Sequence, residues 1–460
     1  MFMNRRAVLA GLASCSAANL VHCVHPLDLD ADDSVIRSGV QRFSAPSDLR
    51  ITDLRYVVLK DSPHKATIIR IDTNQGISGW GEVRDGASPV YALILKSRIL
   101  GENPCDVDRL FRKIKQFGGH ARLGGGVSAV EMALWDLAGK AYGVPIYQLL
   151  GGKFRDKVRI YADTRQSVGK IILGQRSGKE AGRILKERIE RGITWLKCDV
   201  GIGLLQDIPG TLAQPFRSNE VYPQFTPGPF QGIEVTPKGV DLLAGFLAEI
   251  RESIGSDIPL AIDHLGPISV NSAVRIAKAF EPYCLAWIED PVPWQYTQQL
   301  REITQSSNVP ILTGEDIYLK EGFQPLLKDQ AIDMIHPDLA TAGGVLETKK
   351  IGDLAWEQGV PMALHASGTP IHFMASVHCA AATENFVCLE HHGLDVSWWE
   401  SLVNGLPKPL FQEGFVSVPN APGLGVDLNE EVAREHLERP GFFESTSEWD
   451  KERSWDRTWS

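Results

Sequence analysis

The chain has 460 residues, 43% of them hydrophobic and 23% charged, with 47 Lys and Arg against 57 Asp and Glu for a net charge of −10. This is globular composition, which excludes general disorder, collagen and coiled coil, and the length suits one large barrel with a smaller domain beside it. The acid excess argues against a nucleic-acid partner, and seven scattered cysteines do not make a disulfide framework.

Residues 1–25, MFMNRRAVLAGLASCSAANLVHCVH, set Arg5-Arg6 ahead of a short run of small apolar residues. That is the form of a twin-arginine export leader and predicts an exported, periplasmic protein. The run is too short and too interrupted to span a bilayer, so any membrane anchoring would come through the leader alone. Within it, Leu12-Ala13-Ser14-Cys15 resembles a lipoprotein cleavage box, with Cys15 as the lipidated residue. Residues 26–48 are Asp-rich and aperiodic, as in a linker.

From Ile51, DLRYVVLK and ATIIRIDT are β-rich, Asn74-Gln75-Gly76 is a turn, and ISGWGEV follows, which predicts a small antiparallel sheet. VSAVEMALWDLAGKAYG then has helical spacing closed by Gly143. An α+β domain over 50–155 is expected. Beyond it, eight apolar runs end in polar residues: VRIYADT, WLKCDV, PLAIDH, LAWIED, PILTGED, IDMIHPD, PMALHA and FVCLEH. Helical stretches separate them, which predicts a parallel (β/α) barrel over 156–395, with residues 396–460 as a C-terminal segment. Of the cysteines outside the leader, Cys105, Cys198, Cys284, Cys379 and Cys388, four lie in or beside apolar runs and are expected as buried thiols.

The spacing is informative. Asp263, Glu289, Glu315, Asp338, His365 and Glu390 follow one another at 26, 26, 23, 27 and 25 residues, one strand–loop–helix unit each. They are therefore expected at one level on successive strands, at the strand C-termini where such barrels carry their chemistry. Three converging carboxylates, Asp263, Glu289 and Glu315, need a cation to stay ionised together, and oxygen donors point to one Mg²⁺. Asp338 beside His365 would hold the imidazole in one tautomer as a general base. Lys197 and Asp199, two apart in WLKCDV, share a face with Trp195, and Cys198 faces the other way.

Taken together, these acids, the Asp338–His365 pair and Glu390 resemble the enolase superfamily in its mandelate racemase and muconate lactonizing subgroup. WGE at Trp80–Glu82, ALWDLAGKAYGVPIYQLLGG at Ala133–Gly152 and APGLGVDL at Ala421–Leu428 strengthen the likeness, which covers about 50–430. It implies a modified TIM barrel of (β/α)7β type under an N-terminal capping domain, to which the C-terminal segment returns. It also implies Mg²⁺ on Asp263, Glu289 and Glu315, His365 as acid/base, and Glu390 hydrogen-bonding the substrate carboxylate. Lys197 would steady that carboxylate from the other side.

Two positions depart from the pattern. Where the subgroup often has Lys-x-Lys on the second strand, this chain has Lys197-Cys198-Asp199, which removes the usual lysine base. Acid-sugar dehydratases of the subgroup can carry a His two residues after the first metal ligand. Here Leu265 holds that position and His264 directly follows Asp263. With His365 as the one evident base, the expectation is a Mg²⁺-dependent acid-sugar dehydratase, a homo-oligomer acting on a small sugar acid. Its elimination would be syn, with His365 both taking the α-proton and protonating the departing hydroxyl. The alternatives are a racemase, epimerase or cycloisomerase using Lys197 or Asp199, and a barrel that binds an acid sugar without turnover. The Pro-, Gly- and aromatic-rich insertion 201–237 follows the second strand, so it is a lid, a substrate wall, a surface decoration or a subunit contact. In the tail, Trp449, Trp455 and Trp459 are expected against the outside of the barrel or a neighbouring subunit.

Overall fold

A computed structural model describes residues 45–60, 62, 64–164, 177–213 and 232–451. The leader, most of the linker, the middle of the insertion, Trp455 and Trp459 lie outside the described residues. No described helix is long and apolar enough to cross a membrane.

The first part is a three-stranded antiparallel sheet in the order β1 (Ile51–Leu59), β2 (Ala66–Thr73), β3 (Ser78–Val83). Strand β2 turns into β3 at Gly76, whose φ of +76° lies in the left-handed region that glycine enters freely. Helix α1 (Val107–Ile114) and the long helix α2 (Gly125–Tyr142) follow. Helix α2 lies so close on β3 that a Cβ at Gly79 or Gly81 would stand 2.3 or 2.0 Å from a helix carbonyl oxygen, of Ala133 and Ala129 respectively. The face of β3 toward the helix therefore has to be glycine. Successive strand residues alternate sides, so Glu82 and Arg84 are left pointing the other way, toward the barrel. Helix α2 ends at Gly143 with φ +73°, the left-handed C-cap its sequence predicts.

The barrel has eight parallel strands: β4 (Lys157–Tyr161), β5 (Leu196–Asp199), β6 (Leu260–Asp263), β7 (Ile288–Glu289), β8 (Ile311–Thr313), β9 (Met334–Ile335), β10 (Met362–Leu364) and β11 (Phe386–Glu390). They follow the spatial order β4-β11-β10-β9-β8-β7-β6-β5, and a parallel bridge from Ala162 to Leu196 closes the ring. Among the described residues, seven helices of ten or more residues connect them: α3 (Gly178–Glu190), α4 (Pro237–Ile254), α5 (Val270–Phe280), α6 (Thr297–Ser306), α7 (Leu319–Lys328), α8 (Val345–Glu357) and α9 (Pro370–Ala382). Directly after β11 a 3₁₀ turn at Gly393–Asp395 stands where an eighth barrel helix would begin, so the architecture is (β/α)7β. All eight apolar runs of the sequence are barrel strands.

The inside of the barrel is a packed plug. Tyr161, Trp195, Ala261, Trp287, Leu312, Met334, Ala363 and Cys388 form one cluster, each from a different strand or the residue that opens it. Two positions further along most of these strands, toward their C-terminal ends, the residues become Asp163, Lys197, Asp263, Glu289, His336, His365 and Glu390. The alternation of two per pleat turns the apolar layer directly into a polar one.

Buried polar contacts tie the N-terminal domain to the barrel. Glu82 accepts from the backbone N–H of Thr369 and His372 and from the Thr369 hydroxyl, at the start of α9. Glu131 of α2 accepts from Val345 N and Leu346 N, which are otherwise unpaired at the start of α8. The C-terminal segment runs back over the N-terminal domain, where Glu438 N donates to Val58 O at 2.9 Å. Trp449 packs against the core of that domain, not on the barrel exterior expected from sequence. Lys96 binds Thr446 and Asp450 and fixes the tail there. Cys198, Cys379 and Cys388 are buried, Cys105 is half-buried, and Cys284 is exposed.

The described ends of the insertion form a small structure of their own. Leu212 bridges Val235, and Ala213 N donates to Glu234 O at 2.9 Å. The Thr236 side chain caps α4, which begins directly after the insertion.

Candidate active site

The polar layer collects most of the residues singled out from the sequence. Lys197 Nζ lies 2.7 Å from Glu390 Oε1, 3.1 Å from Asp263 Oδ2 and 3.3 Å from Glu289 Oε2. Burial opposes its charge, but Glu289, Glu390 and Asp263 outweigh that and hold the ammonium well above the usual lysine range. Conversely, Lys197 and His264 hold Asp263 far below the carboxylate range despite burial.

His365 and Asp338 form the expected pair. Asp338 bridges to His365 in register, and its Oδ2 is 2.5 Å from His365 Nδ1. That contact leaves Nε2 facing the site, 2.8 Å from Glu315 Oε2 and 3.5 Å from Glu390 Oε2. Asp338 also accepts from Ala340 N at 2.5 Å, as the cap of the turn Leu339–Ala342, and stands 3.3 Å from His372 Nε2. Burial raises the pKa of Asp338, but Arg84 and His372 bring it well below the usual range, so the dyad carboxylate is ionised.

Glu315 departs from the even level expected of the series. It lies past Gly314, whose φ is +148°, and turns toward His365 and Arg84. Asp199 stays half-exposed at the rim, where its Oδ1 is 3.2 Å from His264 Nδ1. His264 itself has φ +58°, and its Nδ1 is also 3.3 Å from Asp263 Oδ2. That backbone turn brings a residue with strand-end parity for the outside back against the metal-ligand candidate.

Several site residues were not picked out from the sequence. Arg84, 2% exposed, enters from β3 of the N-terminal domain and pairs with Asp338. Its Nη2 is 3.5 Å from Glu315 Oε1, and its Nε is 2.9 Å from Asp85 Oδ1. The signal was available, because Arg84 is two residues after Glu82 and shares its strand face. His336 lies between Tyr161, at 2.8 Å from its hydroxyl, and Glu289 Oε1, at 3.0 Å. Burial, reinforced by the charge of Asp199, pushes Asp163 up to about 7. His392 stands on Glu390, with Nε2 3.0 Å from Oε1. Its signal was the same two-residue step, here from Glu390.

The acids fit a hard cation. Asp263 and Glu289 already converge on one positive centre, the Lys197 ammonium. Next to them, Asp290 is raised well above the carboxylate range by burial and by the charges of Glu315 and Glu289, and its Oδ1 is buried without a hydrogen bond. Such a surplus of anions, all oxygen donors, is what a divalent ion neutralises. Among the described residues, two sets of ligand-type atoms lie within 4.8 Å of one another, Asp199 with Asp263 and His264, and His365 with Glu390 and His392.

A (β/α)7β barrel carrying acids and an Asp–His dyad at its strand C-termini, with an α+β domain reaching into that layer, defines an enzyme of the enolase superfamily. Residues 57–151 match the mandelate racemase/muconate lactonizing enzyme N-terminal domain and 181–432 match the enolase C-terminal domain-like family, and the chain belongs to this family. It is 34% identical over 396 residues to a D-xylonate dehydratase of Haloferax volcanii, covering 85% of this chain and 89% of that protein. It is 29% identical to a D-galactonate dehydratase of Pectobacterium atrosepticum, covering 81% and 91%. A solved mandelate racemase/muconate lactonizing enzyme-like protein from Rubrobacter xylanophilus superposes with a TM-score of 0.76 at 33% identity, over 86% of this chain and 99% of that one.

Proposed function

We propose that the protein is an acid-sugar dehydratase: it removes the proton α to a sugar-acid carboxylate, expels the β-hydroxyl and releases a 2-keto-3-deoxy acid. The observation that carries this is the His365 imidazole, oriented through Nδ1 by an ionised Asp338 and presenting Nε2 to the acidic layer. Relatives named D-xylonate and D-galactonate dehydratase support an aldonic acid of five or six carbons as substrate.

Asp263, Glu289 and Glu315 would hold Mg²⁺, which supplies positive charge to the substrate carboxylate as its α-carbon gives up a proton. The side chains do the rest. Lys197, kept as an ammonium, donates to the carboxylate. His365 takes the α-proton on Nε2, and the Asp338 carboxylate stabilises the imidazolium that results. Burial raises the pKa of Glu390, but Lys197, His392 and His365 outweigh this and hold it well below the usual range. It therefore accepts hydrogen bonds and does not donate, which suits a substrate hydroxyl or an imidazolium better than a second carboxylate. The paired arginines of the leader support export, with the enzyme acting outside the cytoplasm.

The test is incubation with D-xylonate, D-galactonate and related aldonates and uronates in Mg²⁺ and D₂O, followed by NMR. Keto-acid formation supports the dehydratase. Epimer formation without keto acid would replace it with the epimerase, and binding with no α-exchange would leave a carrier.

A further inference from the structure

Strand β11 ends at Glu390, and the two histidines that follow it, His391 and His392, have opposite fates. His391 is buried against Phe373 and Trp399, with ring centroids at 4.9 and 4.8 Å, and burial pushes it down to about 3. It is a neutral core residue. His392, one pleat step from Glu390, turns to the polar layer with its side chain 8% exposed. Its Nε2 meets Glu390 Oε1 at 3.0 Å, while His365 Nε2 meets Glu390 Oε2 at 3.5 Å. The two imidazoles thus flank one carboxylate, with ring centroids 6.4 Å apart and a nitrogen of each within 4.8 Å of the other. His64, which precedes β2, stands edge-on to His392 with ring centroids 6.2 Å apart.

We infer that His392 is the general acid of the dehydration, donating the proton with which the β-hydroxyl leaves, while His365 is confined to taking the α-proton. This rests on the dehydratase reading and completes it. Two imidazole nitrogens within 4.8 Å of one another suit a C–H and a C–O bond held eclipsed on adjacent carbons, the geometry of syn elimination. In the step, the α C–H bond breaks and its proton goes to His365. The electron pair passes into the carboxylate as an enediolate, and in a second step returns to form the C2–C3 double bond as the C3–O bond breaks. The oxygen takes a proton from His392 and departs as water, and the enol ketonises. His365 ends one proton richer and His392 one poorer, and Glu390, in contact with both, lies on the path by which they equalise.

The experiment separates leaving-group protonation from α-proton removal. Wild type, His392→Asn, His392→Gln, His365→Asn and His264→Asn are compared with Mg²⁺ on D-xylonate and on 3-deoxy-3-fluoro-D-xylonate, recording keto acid, fluoride and α-deuteration. Fluoride leaves without a proton. Both His392 variants should lose about 10²- to 10⁴-fold in dehydration and keep fluoride release and α-exchange within a few-fold of wild type, with an unchanged thermal midpoint. His365→Asn should lose all three. The inference is overturned if the His392 variants lose fluoride release in parallel, keep normal dehydration, or both fail to fold, or if His264→Asn shows the leaving-group-selective loss instead. A wild type that neither dehydrates nor exchanges D-xylonate or D-galactonate overturns the dehydratase reading itself, and the general acid with it.

Discussion

Arg84→Met removes a buried cation from among four carboxylates while keeping most of the volume of the side chain. The pair that dominates is with Asp338, because both partners are buried, 2% and 1% exposed at the side chain. Breaking such a pair leaves an uncompensated buried charge and costs about 3–5 kcal/mol. The contacts to Glu315 at 3.5 Å and Asp316 at 3.9 Å involve side chains 25% and 37% exposed, so each adds only about 0–1 kcal/mol. The second variant, Asp338→Asn, takes from Arg84 its most deeply buried partner and leaves it Asp85, Glu315 and Asp316. The double variant Arg84→Met/Asp338→Asn leaves neither charge stranded at that contact. It should therefore be more stable than the sum of the singles predicts, by about 1–3 kcal/mol. The assay is urea unfolding of the metal-free protein followed by tryptophan fluorescence, with all four proteins at one pH near 7. Additive single and double variants would refute the argument that Arg84 is held here by charge compensation, and would leave it as packing.

Further outcomes are expected. Glu289→Gln should lose most divalent-metal affinity with the fold intact, and titration calorimetry showing unchanged Mg²⁺ binding would remove Glu289 from the metal site. His365→Asn should abolish turnover with near-normal metal binding, whereas Asp338→Asn should cost less in rate, since it disturbs the tautomer and leaves the base; α-proton exchange at wild-type rate in His365→Asn would move the base elsewhere. Replacing residues 214–231 by a short Gly-Ser linker should change KM or substrate preference more than the thermal midpoint, because Ala213 N and Glu234 O already hold the two ends together; an unfolded product would make the segment part of the packing.

Much of the site was legible in one dimension because the barrel is periodic. A strand–loop–helix unit of about 25 residues returns the chain to the same end of the next strand, so regular spacing in sequence becomes adjacency around an axis. That alone picks out Asp263, Glu289, Glu315, Asp338, His365 and Glu390, and it does so without knowing how any loop folds. The pleat added Lys197, because two residues apart means the same face. The same rule applied once more would have found His336 two before Asp338, Asp163 two after Tyr161 and His392 two after Glu390.

What the tertiary structure alone decided lies where separate parts of the chain meet. Arg84 meets Asp338 across 254 residues, and Glu82 meets Thr369 across 287. No period links them, because the N-terminal domain docks through the shape of β3 against α2 and the barrel rather than through a repeat. Of two adjacent histidines, His391 goes to the core and His392 to the site, and their identical chemistry carries no mark of which is which. Glu315 turns to His365 because Gly314 bends the strand end, and His264 reaches Asp263 through a positive φ. Spacing places a Cα on the right strand, but the direction of a side chain at a strand end is set by local backbone angles and by the charges it meets there, and those exist only once the barrel has closed and the N-terminal domain has docked on it.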